Sequence, residues 1–193
     1  MSQLIDNRVF VLILQHPQER REALSTAPLV AATLRHAKLA VGLSWPGLNR
    51  LAGEAADPRR WAVLHLGAAR PDPPGGRRPL TLLNRRGEPV SDPSAILAGL
   101  RGIVLLDGTW SQAKTLWWRN PWLLKLHRMV LDPPRPARLG RLRREPRREA
   151  LSTIEAAALA LRHLEAGPEA AEALDTALDR MLDAARQRQQ PAG

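Results

Sequence analysis

The hydrophobic positions of this chain form short runs that are separated by polar or amphipathic stretches. Each run spans four to six residues and is rich in branched apolar side chains. Such runs are too short for buried helices and are typical of strands covered on both faces. The pattern predicts strands at 9–14, 39–43, 61–66, 80–83, 102–106 and 128–131, of which 80–83 is expected at a sheet edge.

Helix signals lie between and after these runs. A Ser or Thr cap at 25–26 with Pro28 in the first turn predicts a helix that reaches about residue 36, and a short helix is expected at 93–100. Two amphipathic helices are predicted at the C-terminal end, separated by Gly167-Pro168, and the second ends near Arg188. Strands that alternate with helices predict an α/β fold with a largely parallel sheet covered by helices.

We expect one domain over residues 1–193. Its α/β core occupies 1–150 and includes a basic loop at 133–150, and C-terminal helices at 151–190 pack on that core. A chain of this length is long enough to bury a hydrophobic core by itself.

The most informative segment follows the run at 102–106. Asp107 lies at the predicted carboxyl end of this strand, Gly108 permits a sharp turn, and Thr109 with Gln112 has the spacing of a capping box. A helix is therefore expected at 110–118. Ligands of open α/β sheets bind beyond the carboxyl ends of the strands, so Asp107 is a candidate catalytic residue. The alternative is that Asp107 only caps the turn and Trp110 fills the core.

The net charge of +10 is concentrated in the middle of the chain. Residues 101–150 contain 12 Lys and Arg against 4 Asp and Glu, whereas residues 151–193 contain 4 against 7. Seven arginines lie within 135–148: Arg135, Arg138, Arg141, Arg143, Arg144, Arg147 and Arg148. Arginine replaces lysine across much of this chain, but a cluster of one sign favours a polyanionic partner such as RNA.

Other features exclude several classes of protein. The chain has no cysteine, so it has neither disulfides nor thiolate zinc sites, and its five histidines lack metal-ligand spacing, so no metal is expected. No signal peptide and no apolar run of membrane-spanning length is found. We therefore expect a cytoplasmic protein with no membrane contact, and no obligate protein partner is evident.

An ordered set of motifs resembles the DTW-domain family, which is named for its Asp-x-Thr-Trp sequence. The set comprises His16-Pro17-Gln18-Glu19, Leu106-Asp107-Gly108-Thr109-Trp110, Asn120-Pro121, Arg143-Arg144-Glu145-Pro146 and Leu151-Ser152-Thr153-Ile154-Glu155-Ala156. The resemblance covers nearly the whole chain. The chain departs from the family pattern in two respects. Many family members begin with a cysteine-rich zinc segment, and this chain has no cysteine. A family position before the Arg-x-x-Pro segment often carries tyrosine, and this chain has no tyrosine.

The resemblance implies an enzyme that transfers the 3-amino-3-carboxypropyl group of S-adenosylmethionine to N3 of a uridine in tRNA and releases methylthioadenosine. It also implies a SPOUT-like fold with a knotted C-terminal part. Two alternatives are a non-catalytic RNA-binding protein and a SPOUT-like RNA methyltransferase.

The resemblance suggests roles for particular residues. Asp107 is the candidate base for the uridine N3 proton, but an adjacent helix N-terminus would make it a weaker base, so an orienting role is the alternative. Candidate cofactor-binding residues are Thr109, Trp110, Ser152, Thr153 and Glu155, each of which could instead be a helix cap or a core residue. Candidate substrate- and RNA-binding residues are His16, Glu19, Arg141, Arg143, Arg144, Arg147 and Arg148.

Overall fold

The computed structural model describes residues 3–22, 24–53, 56–64, 78–133, 137–139 and 151–189. The strands of this part are β1 (Phe10–Gln15), β2 (Ala37–Val41), β3 (Trp61–Leu64), β4 (Leu80–Leu83), β5 (Gly102–Asp107) and β6 (His127–Leu131). Its α-helices are α1 (Ala27–Thr33), α2 (Leu48–Ala52), α3 (Ser94–Gly99), α4 (Trp110–Arg119), α5 (Thr153–Leu164) and α6 (Glu169–Gln189). Short 3-10 turns lie at Glu19–Arg21, Pro58–Arg60 and Pro121–Lys125.

The six described strands form one sheet in the order β2-β1-β5-β3-β6-β4. All neighbouring strands run parallel except β4, which pairs antiparallel with β6 at the edge. The predicted largely parallel α/β sheet with an edge strand at 80–83 is therefore confirmed. β5 is an interior strand between β1 and β3, so its carboxyl end lies near the middle of the row of strand ends.

Alternate residues of the central strands enter two separate hydrophobic clusters. Val11 and Ile13 of β1 and Ile103 and Leu105 of β5 face α1, α5 and α6. The intervening residues of both strands face the opposite cluster, which contains residues of α2, α4 and the 121–125 turn. This period of two, with apolar residues on both faces, explains why the strands are continuous hydrophobic runs in the sequence.

A glycine allows two aromatic residues to pack at the start of the central strand. Phe10 and Trp61 both pair with Gly102, and their ring centroids are 5.7 Å apart. A Cβ atom on Gly102 would lie 2.5 Å from the Trp61 ring, closer than real contacts allow. The neighbouring strands thus need glycine at this position.

Most of the predicted helices and strands are present, with small shifts in their ends. The predicted strand at 39–43 lies at 37–41, because its register with β1 begins at Ala37 and Lys38 donates to the Leu51 carbonyl. The first helix ends at Thr33 rather than near residue 36, since Leu34 is extended and bridges Ile5. Helix α2 was not predicted.

Some predictions depend on residues outside the described part. They include the last two residues of the predicted strand at 61–66 and most of the basic loop at 133–150, of which 133 and 137–139 are described. The knot depends on the path of the chain through 140–150, which is not described, so it stays a prediction. In the described part, no helix combines the length and the apolar character needed to cross a membrane.

Candidate active site

Asp107 lies at the carboxyl end of β5, directly beside Gln15 at the end of β1. Both side chains are buried, with 6% of Asp107 and 1% of Gln15 exposed. The Gln15 amide nitrogen donates to Oδ2 of Asp107 at 2.7 Å and to the Ser25 hydroxyl at 3.1 Å. A carboxylate only accepts hydrogen bonds, so the amide group must face Asp107 with its nitrogen.

The second carboxylate oxygen of Asp107 faces the start of α5. Its Oδ1 atom accepts a hydrogen bond from the hydroxyl of Thr153, the first residue of that helix. The helix is held there by Thr26, whose buried hydroxyl oxygen accepts the Ile154 N–H at 3.2 Å. Residues far apart in the chain thus fix both oxygens of one carboxylate.

The Asp107 charge has no basic partner among the described residues. Its two side-chain partners, Gln15 and Thr153, are both neutral donors. Burial of a carboxylate is costly unless hydrogen bonds or an opposite charge compensate it. Within the described part of the chain, hydrogen bonds satisfy part of each oxygen and no cation pairs with the carboxylate, which suits a proton or a cationic ligand group.

The turn after Asp107 ties it to the loop that follows β1. The Asp107 carbonyl accepts the His16 N–H at 3.0 Å, and the Gln112 amide donates to the Gln18 amide oxygen at 3.0 Å. A Cβ atom on Gly108 would lie 2.8 Å from that of Gln112, so glycine is required for this close approach. Hydrogen bonds therefore join the loop at 16–19 and the turn at 107–112 into one structural unit.

The predicted capping box at the start of α4 is present. Oε1 of Gln112 accepts the Thr109 N–H at 2.7 Å, and the Thr109 hydroxyl oxygen accepts the Gln112 N–H at 3.3 Å. The Thr109 side chain thus serves as a cap in this structure.

A second capping box, between Ser152 and Glu155, starts α5. Oε2 of Glu155 accepts the Ser152 N–H at 3.0 Å, and Oε1 accepts the Arg138 N–H at 2.6 Å. The Arg138 guanidinium pairs with Asp175 at 2.8 Å and Asp179 at 2.7 Å. The Glu155 carboxylate thus accepts a backbone N–H from Arg138, before residues 140–150, and one from Ser152, after them. Residues 140–150 contain five of the clustered arginines.

The other predicted site residues have different surroundings. His16 is half-buried beside the Asp107 turn, and Glu19 is buried. Trp110 does not fill the core, because 43% of it is exposed. Arg141, Arg143, Arg144, Arg147 and Arg148 lie outside the described residues, so their RNA-binding role stays a prediction.

Sequence reasoning missed Gln15, Ser25 and Thr26. Gln15 is a polar residue at the end of an apolar run, and parallel pairing of β1 with β5 would place it beside Asp107. That register was not known from the sequence. Ser25 and Thr26 were predicted only as a helix cap, yet their hydroxyls bond Gln15 and the backbone of α5.

Within the described ranges, no group of three or more His, Asp or Glu side chains is placed to hold a metal ion. The expectation of a metal-independent protein stays a prediction.

Comparison with known proteins identifies one family. The family model of the DTW domain matches residues 1–186. The chain belongs to the DTW domain family. This DTW protein is 32% identical over 164 residues to tRNA-uridine aminocarboxypropyltransferase 2 of Macaca fascicularis, covering 79% of this chain and 47% of that relative. It is 31% identical over 169 residues to the Drosophila melanogaster protein of the same name, covering 85% and 59%.

The DTW protein spans about half the length of the curated relatives that it matches. No solved structure matches it significantly.

Proposed function

We propose that this DTW protein transfers the 3-amino-3-carboxypropyl group of S-adenosylmethionine to N3 of a uridine in tRNA, with release of methylthioadenosine. The names of its relatives support a tRNA-uridine substrate. The observation that carries the proposal is the buried Asp107 carboxylate, which has only neutral partners among the described residues. The cytoplasm is the expected place of this reaction.

The residues around Asp107 fit the proposed donor. S-adenosylmethionine carries positive charge on its sulfur and its ammonium group. A buried carboxylate that has no basic partner among the described residues attracts such charge. The Gln15 amide oxygen makes no hydrogen bond to a described residue, so it is a further acceptor in this buried site. Asp107, Gln15 and Thr153 would therefore hold the cationic part of the donor.

The donor, when bound, supplies a carbon attached to a positively charged sulfur, which leaves readily with the bonding electron pair. Uridine N3 is a poor nucleophile until it loses its proton. Asp107 accepts this proton as N3 forms the bond to that carbon. Gln15 and Thr153 each occupy one lone pair of the carboxylate, which fixes its orientation and leaves capacity for the proton.

The remaining predicted site residues support this arrangement. Thr109, Ser152 and Glu155 cap the two helices that begin next to Asp107. A direct contact of these residues or of Trp110 with the donor stays a prediction. His16 and Glu19, which follow β1, would contact the substrate. Arg141, Arg143, Arg144, Arg147 and Arg148 hold the RNA backbone.

The reaction is tested with two labelled donors and unmodified tRNA. Label in the carboxyl group of S-adenosylmethionine reaches the RNA only if the aminocarboxypropyl group moves, whereas label in the methyl group reaches it only by methylation. We expect carboxyl label in a modified uridine, identified by mass spectrometry of the digested nucleosides, together with methylthioadenosine. Methyl label with S-adenosylhomocysteine would indicate a methyltransferase, and tRNA binding with neither label would indicate a binding protein.

Asp107→Asn separates the two roles of the carboxylate. The amide is similar in size but cannot take a proton, so we expect at least a hundredfold loss of single-turnover rate. Binding of S-adenosylmethionine, measured by calorimetry, should weaken far less than the rate. An equal loss of affinity and rate would show that Asp107 acts only by holding the cationic part of the donor and not as the base. Circular dichroism of the variant controls for folding.

A further inference from the structure

Helix α4 exposes a stripe of large side chains on the face turned away from the core. Trp110, Lys114 and Trp118 follow one another at intervals of four residues, which places them in line on one side of the helix. They line a shallow cavity of about 420 Å³ together with Ser111, Thr115 and Arg119. We call these six residues the α4 platform.

The exposure of the two indoles on the α4 platform is not explained by packing. Trp118 is 74% exposed and Trp110 is 43% exposed, while Ala113 and Leu116 of the same helix are buried against the sheet. The platform therefore lies opposite the face that packs in the core. Exposed large aromatic side chains in a group indicate a binding surface.

The charge of the platform favours one kind of partner. Lys114 and Arg119 are its charged residues, α4 contains no Asp or Glu, and neither cation forms an ion pair with a described residue. Two indoles with cations between and beside them match a single nucleic acid strand, whose bases stack on the rings and whose phosphates bind the cations.

The position of the platform connects it to the candidate active site. Trp110 begins α4, three residues after Asp107, and the helix then leads away from the sheet edge. Eight residues of helix place the two indoles about 12 Å apart along the axis. Stacked nucleotides advance only about 3.4 Å each, so the two rings take bases that are not neighbours, with phosphates between them near Lys114.

We propose that the α4 platform binds a single-stranded segment of the tRNA substrate, with one base on Trp110, one on Trp118 and the intervening phosphates on Lys114 and Arg119. This rests on the proposed function, because that function makes RNA the substrate. The strand then runs along α4 toward Asp107. The platform would be an RNA contact in addition to the proposed one of the arginine-rich segment.

The platform proposal is tested by measuring the affinity for tRNA of variants in which exposed side chains are replaced. These substitutions should not disturb the fold. Trp118→Ala should raise the Kd for tRNA roughly 5- to 150-fold, the range for loss of one base–aromatic stack. Trp118→Phe retains a ring face and should recover much of this loss. Lys114→Ala should lower the slope of log Kd against log salt by about 0.7, as for one phosphate on a single strand.

Matched controls are available next to the platform. Leu124 is 51% exposed and Lys125 is exposed, and neither lines the cavity. Leu124→Ala and Lys125→Ala should bind tRNA like the unaltered protein. Equal affinity of Trp118→Ala and the unaltered protein would overturn the proposal. So would a change in self-association, measured by sedimentation, with unchanged RNA affinity, because the platform would then be a protein interface.

The same variants separate this proposal from the proposed function. Suppose that the unaltered protein transfers the aminocarboxypropyl group and that Trp118→Ala binds tRNA and reacts equally well. The platform proposal is then refuted and the proposed reaction is supported. If the unaltered protein transfers nothing but Trp118→Ala still weakens tRNA binding, the platform proposal is supported and the proposed reaction is refuted.

Discussion

Helices α4 and α5 flank Asp107, and both begin with a capping box. The residue that completes the box makes a different second contact in each helix. In α4 and α5 the third helical residue, Gln112 or Glu155, accepts the N–H of the cap residue and bonds a second segment. Gln112 donates its amide to Gln18, whereas Glu155 accepts the N–H of Arg138. Both side chains therefore cap a helix and also join that helix to another part of the chain.

The difference follows from the chemistry of the two groups and from burial. The Gln112 amide has N–H groups and can donate one to the Gln18 oxygen. The Glu155 carboxylate has only acceptors, so each of its oxygens accepts a backbone N–H. Helix α5 also buries seven of its residues, whereas α4 buries only Ala113 and Leu116 and keeps its outer face open. The same local signature thus starts an anchored helix in one place and an exposed platform in the other.

The largest expected loss of stability comes from a substitution in α5. Glu155→Ala leaves the Arg138 and Ser152 N–H groups without their acceptor, and we expect a loss of about 2–3 kcal/mol in the free energy of unfolding measured with urea. If the proposed function holds, transfer should also slow, because the disturbed start of α5 includes Thr153, whose hydroxyl donates to Asp107. Glu155→Gln keeps one acceptor oxygen and should recover part of the stability. Unchanged stability in Glu155→Ala would show that the carboxylate does not join the two segments in solution.

An intermediate effect is expected at the turn into α4. Gly108→Ala places a methyl group 2.8 Å from the Gln112 Cβ, so the cap must shift, and we expect a loss of about 1–2 kcal/mol. Gly99→Ala is the matched control, since nothing lies within 4 Å of its added Cβ. The two melting temperatures are compared by calorimetry. Equal values would mean that the α4 cap tolerates the crowding.

The smallest effect is expected from the neutral cap itself. Gln112→Ala removes the hydrogen bonds to Thr109 and Gln18 but introduces a good helix former, so we expect a loss of only about 0.5–1 kcal/mol. A double-mutant cycle with Gln18→Ala isolates the link between the two motifs. Additive losses in unfolding free energy would mean that this hydrogen bond contributes nothing.

This contrast shows which features the sequence could predict. Both capping boxes and the boundaries of α4 follow from residues within one helical turn, so they were predicted correctly. The contact of Gln15 with Asp107 depends on the register of two strands separated by about ninety residues, which no local pattern gives. Helix α2 was read as a connection because Pro46, Gly47 and Gly53 border it.

The aromatic residues show the same limit. From the sequence, Trp110 could lie either in the cofactor site or in the core. In the fold, Trp122 is buried, Trp117 packs under the Arg128 guanidinium at 5.7 Å, and Trp118 is exposed. Which side of a helix meets the sheet is decided by the whole set of contacts, so the α4 platform became visible only in three dimensions.

The buried Asp107 also sets a relation between stability and ligand binding. Burial of a carboxylate costs folding free energy when no opposite charge compensates it. Among the described residues, Asp107 has only the neutral partners Gln15 and Thr153. A ligand that binds only the folded form and supplies the missing positive charge stabilises that form by mass action. If the proposed function holds, S-adenosylmethionine should therefore raise the resistance of this protein to unfolding as its concentration rises.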